Sequence, residues 1–511
     1  MRTEQGLGLS PDAQQIANVS DYLLANGRPD DVVLVDGGRS FSYSDLRTAA
    51  GRLAAEVDAL GLPPGSRLGI LGSNSFFWLA AYLAAMKVGV AVPFSDKLSP
   101  TDVGRQGAWV GCAAVFMDTR RLREFAHAFP EGVPIVTDET LDRDREPYWP
   151  VAGVVDPDAD AALMFTSGTT SDPKAVRVTH RNIQANTESI VSYLGLGRDD
   201  RMLVILPFFY CFGASLLHTH LRVGGSLVLC NSFVFPELAL DMMDREKATG
   251  FAGVPSSFQL LLRASSFNSR ALPSLRLIQQ AGGKLPPVLI EELVAAKPNA
   301  KLFVMYGQTE ATARLSYLPP DKVLEKLGSI GRGIPGVELQ VVDDIGNPVA
   351  PGATGEILAH GANVSPGYYN DPDGSAKRFR DGGLRTGDLA IVDPDGYVFV
   401  VDRKDDFIKS WGYRVSTLEV ETCALRMEDL VSAAAFGVPD IEAGEAITLA
   451  VTVRPGSTVR AEDVVAFTRN HLAKYMVPQS VYLVESIPLT ASGKISKSQL
   501  REMVGALSAS G

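Results

Sequence analysis

Cysteine is scarce in this chain, and a hydrophobic run long enough to cross a membrane is missing from it. Its 511 residues include four cysteines, which are too few for a disulfide framework and show no paired spacing of metal ligands. The N-terminal residues lack the apolar core of a signal peptide. The longest apolar run, residues 76–86, stops at Lys87 and predicts a buried helix. We therefore expect a cytoplasmic protein with no membrane partner.

An excess of basic residues is also missing. The chain has 48 Lys plus Arg against 59 Asp plus Glu, which gives a formal net charge of −11. Because a protein that binds nucleic acid normally carries the opposite excess, we expect no nucleic-acid partner. The 46% of hydrophobic and 21% of charged residues are typical of a globular protein. This balance still allows a small anionic ligand in a local pocket.

Short apolar runs alternate with helix-length amphipathic stretches before Gly331, which predicts largely parallel α/β sheets. After Gly331, strand-like segments follow one another through turns too short for helices, which indicates an antiparallel unit. A charged stretch from Asp402, DRKDDFIK, then precedes a domain-sized tail. We predict an α/β protein whose large N-terminal body, residues 1–402, has two α/β subdomains plus an antiparallel β subdomain. Residues 403–511 are expected to form a small mobile C-terminal α+β domain.

The most informative segment is FTSGTTSDPKAV, residues 165–176. It lies between a predicted strand and a predicted helix. Its small hydroxyl residues and single glycine allow backbone amides and hydroxyls to surround phosphate oxygens closely, and Lys174 adds a cation. No glycine directly precedes the lysine, so the segment is not the P-loop of nucleoside triphosphatases. Taken alone, the same residues also fit a solvent-exposed turn.

Three later segments carry further candidate site residues. YGQTEAT places Glu310 just after a predicted strand, at the edge where α/β folds bind ligands. RTGDLA places Asp388 in a tight turn before a strand, and PLTASGKISKSQL carries Lys494. By contrast, GRGIPG at residues 331–336 has the letters of a dinucleotide fingerprint, but a strand-like segment follows it. We assign that segment to a turn.

In this order and spacing, these segments together resemble the acyl-adenylate-forming (AMP-binding) superfamily, which includes acyl- and aryl-CoA synthetases, stand-alone adenylation domains and luciferases. The resemblance extends from about Tyr43 to Leu500. It implies a ligase that uses ATP and Mg²⁺. A carboxylic acid attacks the α-phosphate of ATP, pyrophosphate leaves, and a pantetheine thiol then captures the acyl group of the acyl-adenylate.

The resemblance also implies which residues carry out this chemistry. Lys494 would bridge the carboxylate and the α-phosphate, Thr309 would bind the α-phosphate, and Glu310 would hold Mg²⁺. The loop residues implied to hold the β- and γ-phosphates are Thr166, Ser167, Gly168, Thr169, Thr170 and Lys174.

The nucleoside is assigned by the same resemblance. Tyr306 would stack on adenine, with Gly282 and Gly283 lining the other side. Asp388 would accept both ribose hydroxyls, with Arg403 beside it.

The segment DRKDDFIKSWGYR resembles the hinge of the family, with Asp405 as the pivot and Gly412 on the face that would meet pantetheine after rotation. A rigid-body swing that withdraws Lys494 would exclude water during adenylation and then admit a thiol. Two positions depart from the family pattern, because Ser171 and Ala175 stand where glycines are usual. We expect a modified phosphate loop that still functions.

The acyl pocket is expected at Tyr210, Cys211 and Phe212. Tyr210 stands where many acyl-CoA synthetases have a gating histidine, and Cys211 where domains that activate α-amino acids have an aspartate. A buried ammonium without a carboxylate partner is costly, so α-amino acids are disfavoured. An apolar pocket for an aryl or medium-sized acyl acid is favoured by Phe208, Phe209, Phe212 and Phe258, although such residues also fit a hydrophobic core.

The acceptor thiol is expected on free CoA or on the phosphopantetheine of a separate carrier protein, since no serine-centred carrier motif follows Lys494. Two alternatives remain open at this point. The enzyme could use a non-thiol nucleophile or activate an unusual oxyanion. A catalytically silent nucleotide-binding protein is a weaker alternative, because such a protein has no physical need for Lys494, Glu310, Thr309, Asp388 and Arg403 together.

Overall fold

The computed structural model describes residues 18–143, 146–150, 155–166, 173–403, 407–490 and 493–509. Its α-helices are Val19–Leu24, Tyr43–Asp58, Phe76–Val88, Pro100–Val110, Thr119–Phe125, His180–Leu194, Cys211–Val223, Pro236–Arg245, Pro255–Ala264, Pro287–Ala296, Pro372–Arg378, Thr417–Ala424, Ala461–His471 and Lys497–Ala509. Short 3₁₀ turns are Ala126–Ala128, Asp138–Asp142, Thr309–Ala311, Pro320–Lys322 and Lys474–Met476.

Two mainly parallel sheets form most of the N-terminal body, as predicted. The larger sheet contains, from edge to edge, Arg332–Gly333, Ser316–Leu318, Lys301–Tyr306, Leu277–Gln280, Gly250–Gly253, Arg201–Val204, Ser226–Leu229, Val32–Asp36 and Arg39–Ser42. The other contains Ile135–Thr137, Cys112–Met117, Arg67–Leu71, Val90–Phe94, Asp160–Phe165 and Ala175–Thr179. The strands at the edges of these sheets supply their antiparallel pairs.

One hydrophobic core joins the two parallel sheets. It contains side chains from both, such as Leu34 and Leu68, together with the helix Phe76–Val88. That helix is buried on all sides, because residues such as Trp78 and Tyr82 pack into the core. Its position accounts for the apolar run in the sequence. Among the residues that the structure describes, no helix has both the length and the apolar composition that crossing a membrane requires.

An antiparallel sheet completes the N-terminal body. Its strands are Val337–Val342, Gly355–Gly361, Phe379–Arg380, Gly383–Val392 and Val398–Arg403. Two details of the prediction for this region were wrong. The helix Pro372–Arg378 lies between two of its strands, where Asp371 caps it by accepting a bond from the Gly374 amide. Asp388 lies inside the strand Gly383–Val392 and not in a turn before a strand; the positive φ of Gly387, +77°, accompanies a register shift there.

The C-terminal region forms a smaller α+β unit. Its sheet has the order Tyr413–Ser416, Phe407–Ser410, Gly444–Val453 and Leu430–Asp440, with Ser480–Leu483 paired parallel to Gly444–Val453. The large body contacts this unit through the helix Pro255–Ala264. The buried guanidinium of Arg263 donates to the backbone carbonyls of Leu425, Met427, Glu428 and Leu430 at 3.3–3.5 Å, and it pairs with Glu292.

Two buried histidines predict a loss of stability in acid. Burial lowers the pKa of His180 from 6.5 to about 4 and that of His218 to about 3. Both are therefore neutral in the folded state and bind a proton on unfolding below pH 6.5. Stability should fall as pH decreases from 6.5 towards 4, by roughly 1 kcal/mol per pH unit for each histidine.

Denaturant unfolding at pH 7, 5.5 and 4 measures this effect. His180 accepts a bond from the Val19 amide at 3.1 Å, so His180→Asn preserves an acceptor while removing the titrating ring. The variant should lose less stability between pH 6.5 and 4 than the parent. The matched control, His127→Asn at an exposed histidine, should lose as much stability as the parent. An identical pH dependence in parent and His180→Asn would show that this ring does not contribute.

Candidate active site

A tight loop after the strand Lys301–Tyr306 carries Thr309 and Glu310. The Leu315 amide closes the loop by donating to the Tyr306 carbonyl at 2.9 Å. Gly307 is required inside it, because a Cβ at this position would lie 1.9 Å from the Ala313 carbonyl oxygen. Thr312 takes the uncommon φ of +67° for a residue with a side chain. The loop is thus held in one conformation by its own backbone.

Thr309, Cys211 and Lys494 meet at the start of the helix Cys211–Val223. The Thr309 hydroxyl donates to Cys211 Sγ at 3.5 Å, and Lys494 Nζ lies 5.7 Å from the centre of the Tyr210 ring. Burial raises the pKa of the Cys211 thiol, while the Thr309 bond and the charge of Lys494 oppose that rise. A lysine from the C-terminal unit therefore lies beside the predicted acyl pocket, in the orientation expected for adenylation.

Glu310 and Lys174 are linked by a tyrosine that the sequence analysis missed. The Tyr368 hydroxyl donates to Glu310 Oε1 at 2.7 Å, and Lys174 Nζ lies 5.1 Å from the centre of the Tyr368 ring and 3.8 Å from Asp371 Oδ2. The backbone places Tyr368 there, because the Tyr369 amide donates to the Ala175 carbonyl at 2.8 Å.

The surroundings of Glu310 fit a magnesium ion held jointly with phosphates. Its side chain is buried, and no cation of the described residues lies within ion-pair distance of it. Within the same described residues, no three His, Cys, Asp or Glu side chains cluster into a complete metal site. Mg²⁺ is commonly bound by one or two carboxylates with substrate phosphates and water, so a single buried carboxylate beside Lys174 is a suitable donor set.

Three of the residues predicted to bind the nucleoside, Tyr306, Asp388 and Arg403, lie close together. The Tyr306 hydroxyl donates to Asp388 Oδ2 at 2.5 Å, and Asp388 is the backbone partner of Arg403 across two strands. Gly282 has a φ of +84°, and a Cβ on it would lie 2.8 Å from Val254 Cγ1.

Val254 also contacts the loop of Lys494. A Cβ on Gly493 would lie 3.1 Å from Val254 Cγ2, and the Ser256 hydroxyl donates to the Gly493 carbonyl at 2.7 Å. The Gly493 φ of +82° belongs to the turn in which the Lys494 amide donates to the Thr490 hydroxyl at 3.2 Å. Residues 254–256, which lie next to Gly282 and Gly283, thus position the turn that carries Lys494.

Some predicted residues lie elsewhere or outside the described part of the chain. Gly412 is exposed and its neighbour Trp411 is half exposed, and neither contacts the crevice between Thr309, Cys211 and Lys494. Phe208 lies against Trp78 and Phe258 against Phe251, so these two are core residues. Outside the described residues are Ser167, Gly168, Thr169, Thr170, Ser171 and Asp405, as is the side chain of Arg403.

Phe212 carries a second feature that the sequence analysis missed. The guanidinium of Arg314 lies on its ring, with Cζ 4.0 Å from the ring centre. Arg314 is only five residues beyond Thr309, yet a single arginine after a motif is an ordinary sequence feature. Its burial and stacking depend on residues about a hundred positions away and carry no local signal.

Comparisons with known proteins agree with this geometry. The sequence profile of the AMP-binding enzyme family matches residues 24–369, and that of the AMP-binding enzyme C-terminal domain matches residues 419–494. A feruloyl-CoA synthase from Amycolatopsis sp is 33% identical over 475 residues, which cover 92% of this chain and 95% of that protein.

Solved structures are similar over nearly the whole chain. The o-succinylbenzoate CoA synthetase of Bacillus subtilis, in complex with its acyl-adenylate intermediate, superposes with a TM-score of 0.82 and 28% identity, covering 95% of this chain and 98% of that one. A structure of the same enzyme with ATP and a magnesium ion also has a TM-score of 0.82 and 28% identity, covering 95% and 99%. The expected class, an AMP-forming acid–thiol ligase that acts through an acyl-adenylate, is confirmed. This chain belongs to the family of AMP-binding enzymes.

Proposed function

We propose that this protein is an acyl-CoA synthetase whose reaction takes place between Thr309, Cys211 and Lys494. The observation that carries the proposal is the approach of Lys494 Nζ to the Tyr210 ring, which brings a cation of the C-terminal unit close to the Thr309 hydroxyl. Two anions, a carboxylate and the α-phosphate, must meet in adenylation, so a positioned cation and donor lower the barrier. Lys494 would contact both anions, and the Thr309 hydroxyl would turn from Cys211 Sγ to the α-phosphate.

The remaining residues would hold the nucleotide in line for attack. Asp388 would accept the ribose hydroxyls in place of the Tyr306 hydroxyl, with Arg403 beside it, and Tyr306 would stack on adenine. Lys174, with the loop of residues 166–170, would bind the β- and γ-phosphates. Glu310, oriented by Tyr368, would hold Mg²⁺, which neutralises part of the phosphate charge.

We assign CoA as the acceptor in preference to a carrier protein. The relatives named above are CoA ligases, and a small free thiol needs no docking surface on the enzyme. Gly412 and the exposed Trp411 lie away from the crevice in this orientation, so they can reach the acyl-adenylate only after the C-terminal unit rotates. All four cysteines are free thiols, which fits our assignment of the protein to the cytoplasm.

Acid-dependent ATP–pyrophosphate exchange tests the first half-reaction, and mass spectrometry of thioester products tests the second. We expect at least one acid in a panel of aryl, fatty, hydroxy and dicarboxylic acids to give strong exchange. With CoA present, that acid should yield acyl-CoA, whereas a phosphopantetheinylated carrier protein should acylate slowly. Exchange without any acyl-CoA would favour a non-thiol acceptor, and preferential loading of the carrier would reverse our assignment.

Arg263 provides a test of the orientation seen here. Its side chain holds the C-terminal unit through four backbone carbonyls, so Arg263→Ala should lower the rate of acyl-AMP formation about tenfold. The thioester half-reaction, started from supplied acyl-AMP, should keep its rate. Arg245→Ala, at an exposed arginine of the same body, is the matched control. Equal losses in both half-reactions would contradict a role in orientation.

A further inference from the structure

A buried arginine that has no carboxylate partner among the described residues lies against Phe212 of the predicted acyl pocket. Arg314 is 2% exposed, and none of the described residues provides a hydrogen-bond acceptor for its Nη2. Its Nε donates to Met305 Sδ at 3.4 Å, and the face of the guanidinium lies on Phe212. Within the part of the chain that the structure describes, no Asp or Glu forms an ion pair with it.

This arrangement is costly for the protein by itself. A thioether sulfur is a weak acceptor, and the uncharged Tyr193 hydroxyl and the aromatic face of Phe212 compensate only part of the hydration that a buried cation loses. Burial accordingly lowers the pKa of the Arg314 guanidinium. Buried charges in proteins are normally paired with an opposite charge. The described residues do not supply one for Arg314.

The backbone holds Arg314 firmly in this place. Asn186 and Asn363 each donate a side-chain amide bond to the Arg314 carbonyl, at 3.0 Å and 2.8 Å. The Thr312 hydroxyl in turn donates to the Asn363 carbonyl at 2.7 Å. Because its backbone is fixed by two other segments and its side chain is buried against Phe212, the guanidinium cannot easily turn away to solvent.

The position of Arg314 relative to the reaction site defines the end of the ligand that it would meet. Thr309 contacts Cys211, and Arg314 contacts Phe212, the next residue of the same helix. The neighbours whose charges act on the Arg314 guanidinium include Tyr193, Cys211 and Tyr210, two of which line the predicted pocket. On the proposed function, the reacting carboxylate would lie at Thr309 and Lys494, and the part of the acid that extends past Cys211 to Phe212 would approach Arg314.

We infer that the acid substrate carries a second carboxylate, distant from the reacting one, that pairs with Arg314. The inference rests on the proposed function, and it names the substrate class of the same site. A distal carboxylate supplies the missing acceptor for Nη2 and the missing counter-charge in a single group. An acid with an ammonium group at that end would place two cations together and be rejected.

Paired acids test this inference. Aliphatic and aromatic dicarboxylic acids of increasing length are compared with their monomethyl esters, which have nearly the same shape but lack the second charge. Exchange of ATP with pyrophosphate gives kcat/KM for each. For the best pair we expect the wild-type enzyme to prefer the diacid about 100-fold, because the ester leaves the cation unpaired.

Substitutions at Arg314 then assign the preference to this side chain. Arg314→Met should reduce the ratio of kcat/KM for diacid to kcat/KM for ester by about 100-fold without weakening ATP binding measured by calorimetry. Arg314→Lys should restore part of the preference. Arg332→Met is the matched control, since the Arg332 guanidinium lies on the Tyr397 ring, 4.4 Å from its centre, away from the pocket.

The outcomes separate this inference from the proposed function. Exchange with monocarboxylic acids but no preference for any diacid over its ester would overturn the inference and leave the ligase reaction established. If Arg314→Met lowered kcat/KM equally for diacid and ester, Arg314 would have a purely structural role, and the inference would also be overturned. Absence of exchange and of acyl-CoA with every acid would overturn the proposed function, and the inference with it.

Discussion

Lys494→Ala should lower the rate of acyl-AMP formation about a thousandfold while leaving thioester formation from supplied acyl-AMP nearly unchanged. Lys494 Nζ is the cation from the C-terminal unit that lies beside Tyr210 and Cys211, where the proposed function places the carboxylate and the α-phosphate. In that proposal its charge is needed only until the acyl-adenylate has formed, and rotation of the C-terminal unit would then withdraw it. The effect should therefore appear in one half-reaction only.

Single-turnover measurements of the two half-reactions check this expectation. ATP–pyrophosphate exchange reports the first, and release of AMP from supplied acyl-AMP and CoA reports the second. Lys497→Ala is a suitable control, because it removes a lysine three residues away whose Nζ donates to the Thr417 hydroxyl at 3.3 Å, inside the C-terminal unit. If a folded Lys494→Ala loses both half-reactions, the assignment of Lys494 to adenylation alone is wrong.

Glu310→Gln is the other substitution with a large expected effect, a loss of about 100-fold to 1,000-fold in acyl-AMP formation at low magnesium concentration. Glutamine keeps the size of the side chain and an oxygen that can accept the Tyr368 hydroxyl bond, but it removes the negative charge. The loss should diminish as the magnesium concentration rises, because a weaker site fills at higher concentration.

The magnesium dependence distinguishes this role from a structural one. Rates of exchange are measured over a series of magnesium concentrations, and binding of ATP is measured with and without the ion. Glu338→Gln, at an exposed carboxylate on an antiparallel strand, is the control. A low rate in Glu310→Gln that no magnesium concentration improves, together with weakened ATP binding in the absence of the ion, would contradict metal binding by Glu310.

The alternation of apolar runs and helices was enough to predict the parallel sheets, because buried strands and helices of this kind are determined mainly by hydrophobic pattern. Strand segments such as Ser226–Leu229 appear where that pattern placed them. The helix Pro372–Arg378 was missed because Asp371 and Pro372 also fit a turn, although an Asp before a Pro is a known helix start. Asp388 was misplaced for a similar reason: the segment RTGD fits a turn, but the register shift at Gly387 keeps Asp388 within the strand Gly383–Val392.

The residues of the candidate site also fall into those that could be predicted from the sequence and those that could not. Residues in short motifs, such as Thr309, Glu310 and Lys494, could be found from sequence because their spacing along the chain is distinctive. Tyr368 could not, since it lies 58 positions from Glu310 and is brought to it by the backbone bond between Tyr369 and Ala175. Arg314 was invisible for a related reason: its burial follows from packing against a helix that begins at Cys211. Contacts formed by the fold have no local signature.

Several polar contacts between the two parts of the molecule are made with main-chain atoms of the C-terminal unit. Arg263 and Ser256 bind its carbonyl oxygens, and Val254 meets a glycine, so these contacts do not depend on the identity of the side chains in the C-terminal unit. Contacts of this kind tolerate sequence divergence in that unit. Exchange of the C-terminal unit with that of a distant relative should therefore give chimeras in which the two parts still make these contacts, provided that Gly493 and the turn of Lys494 are retained.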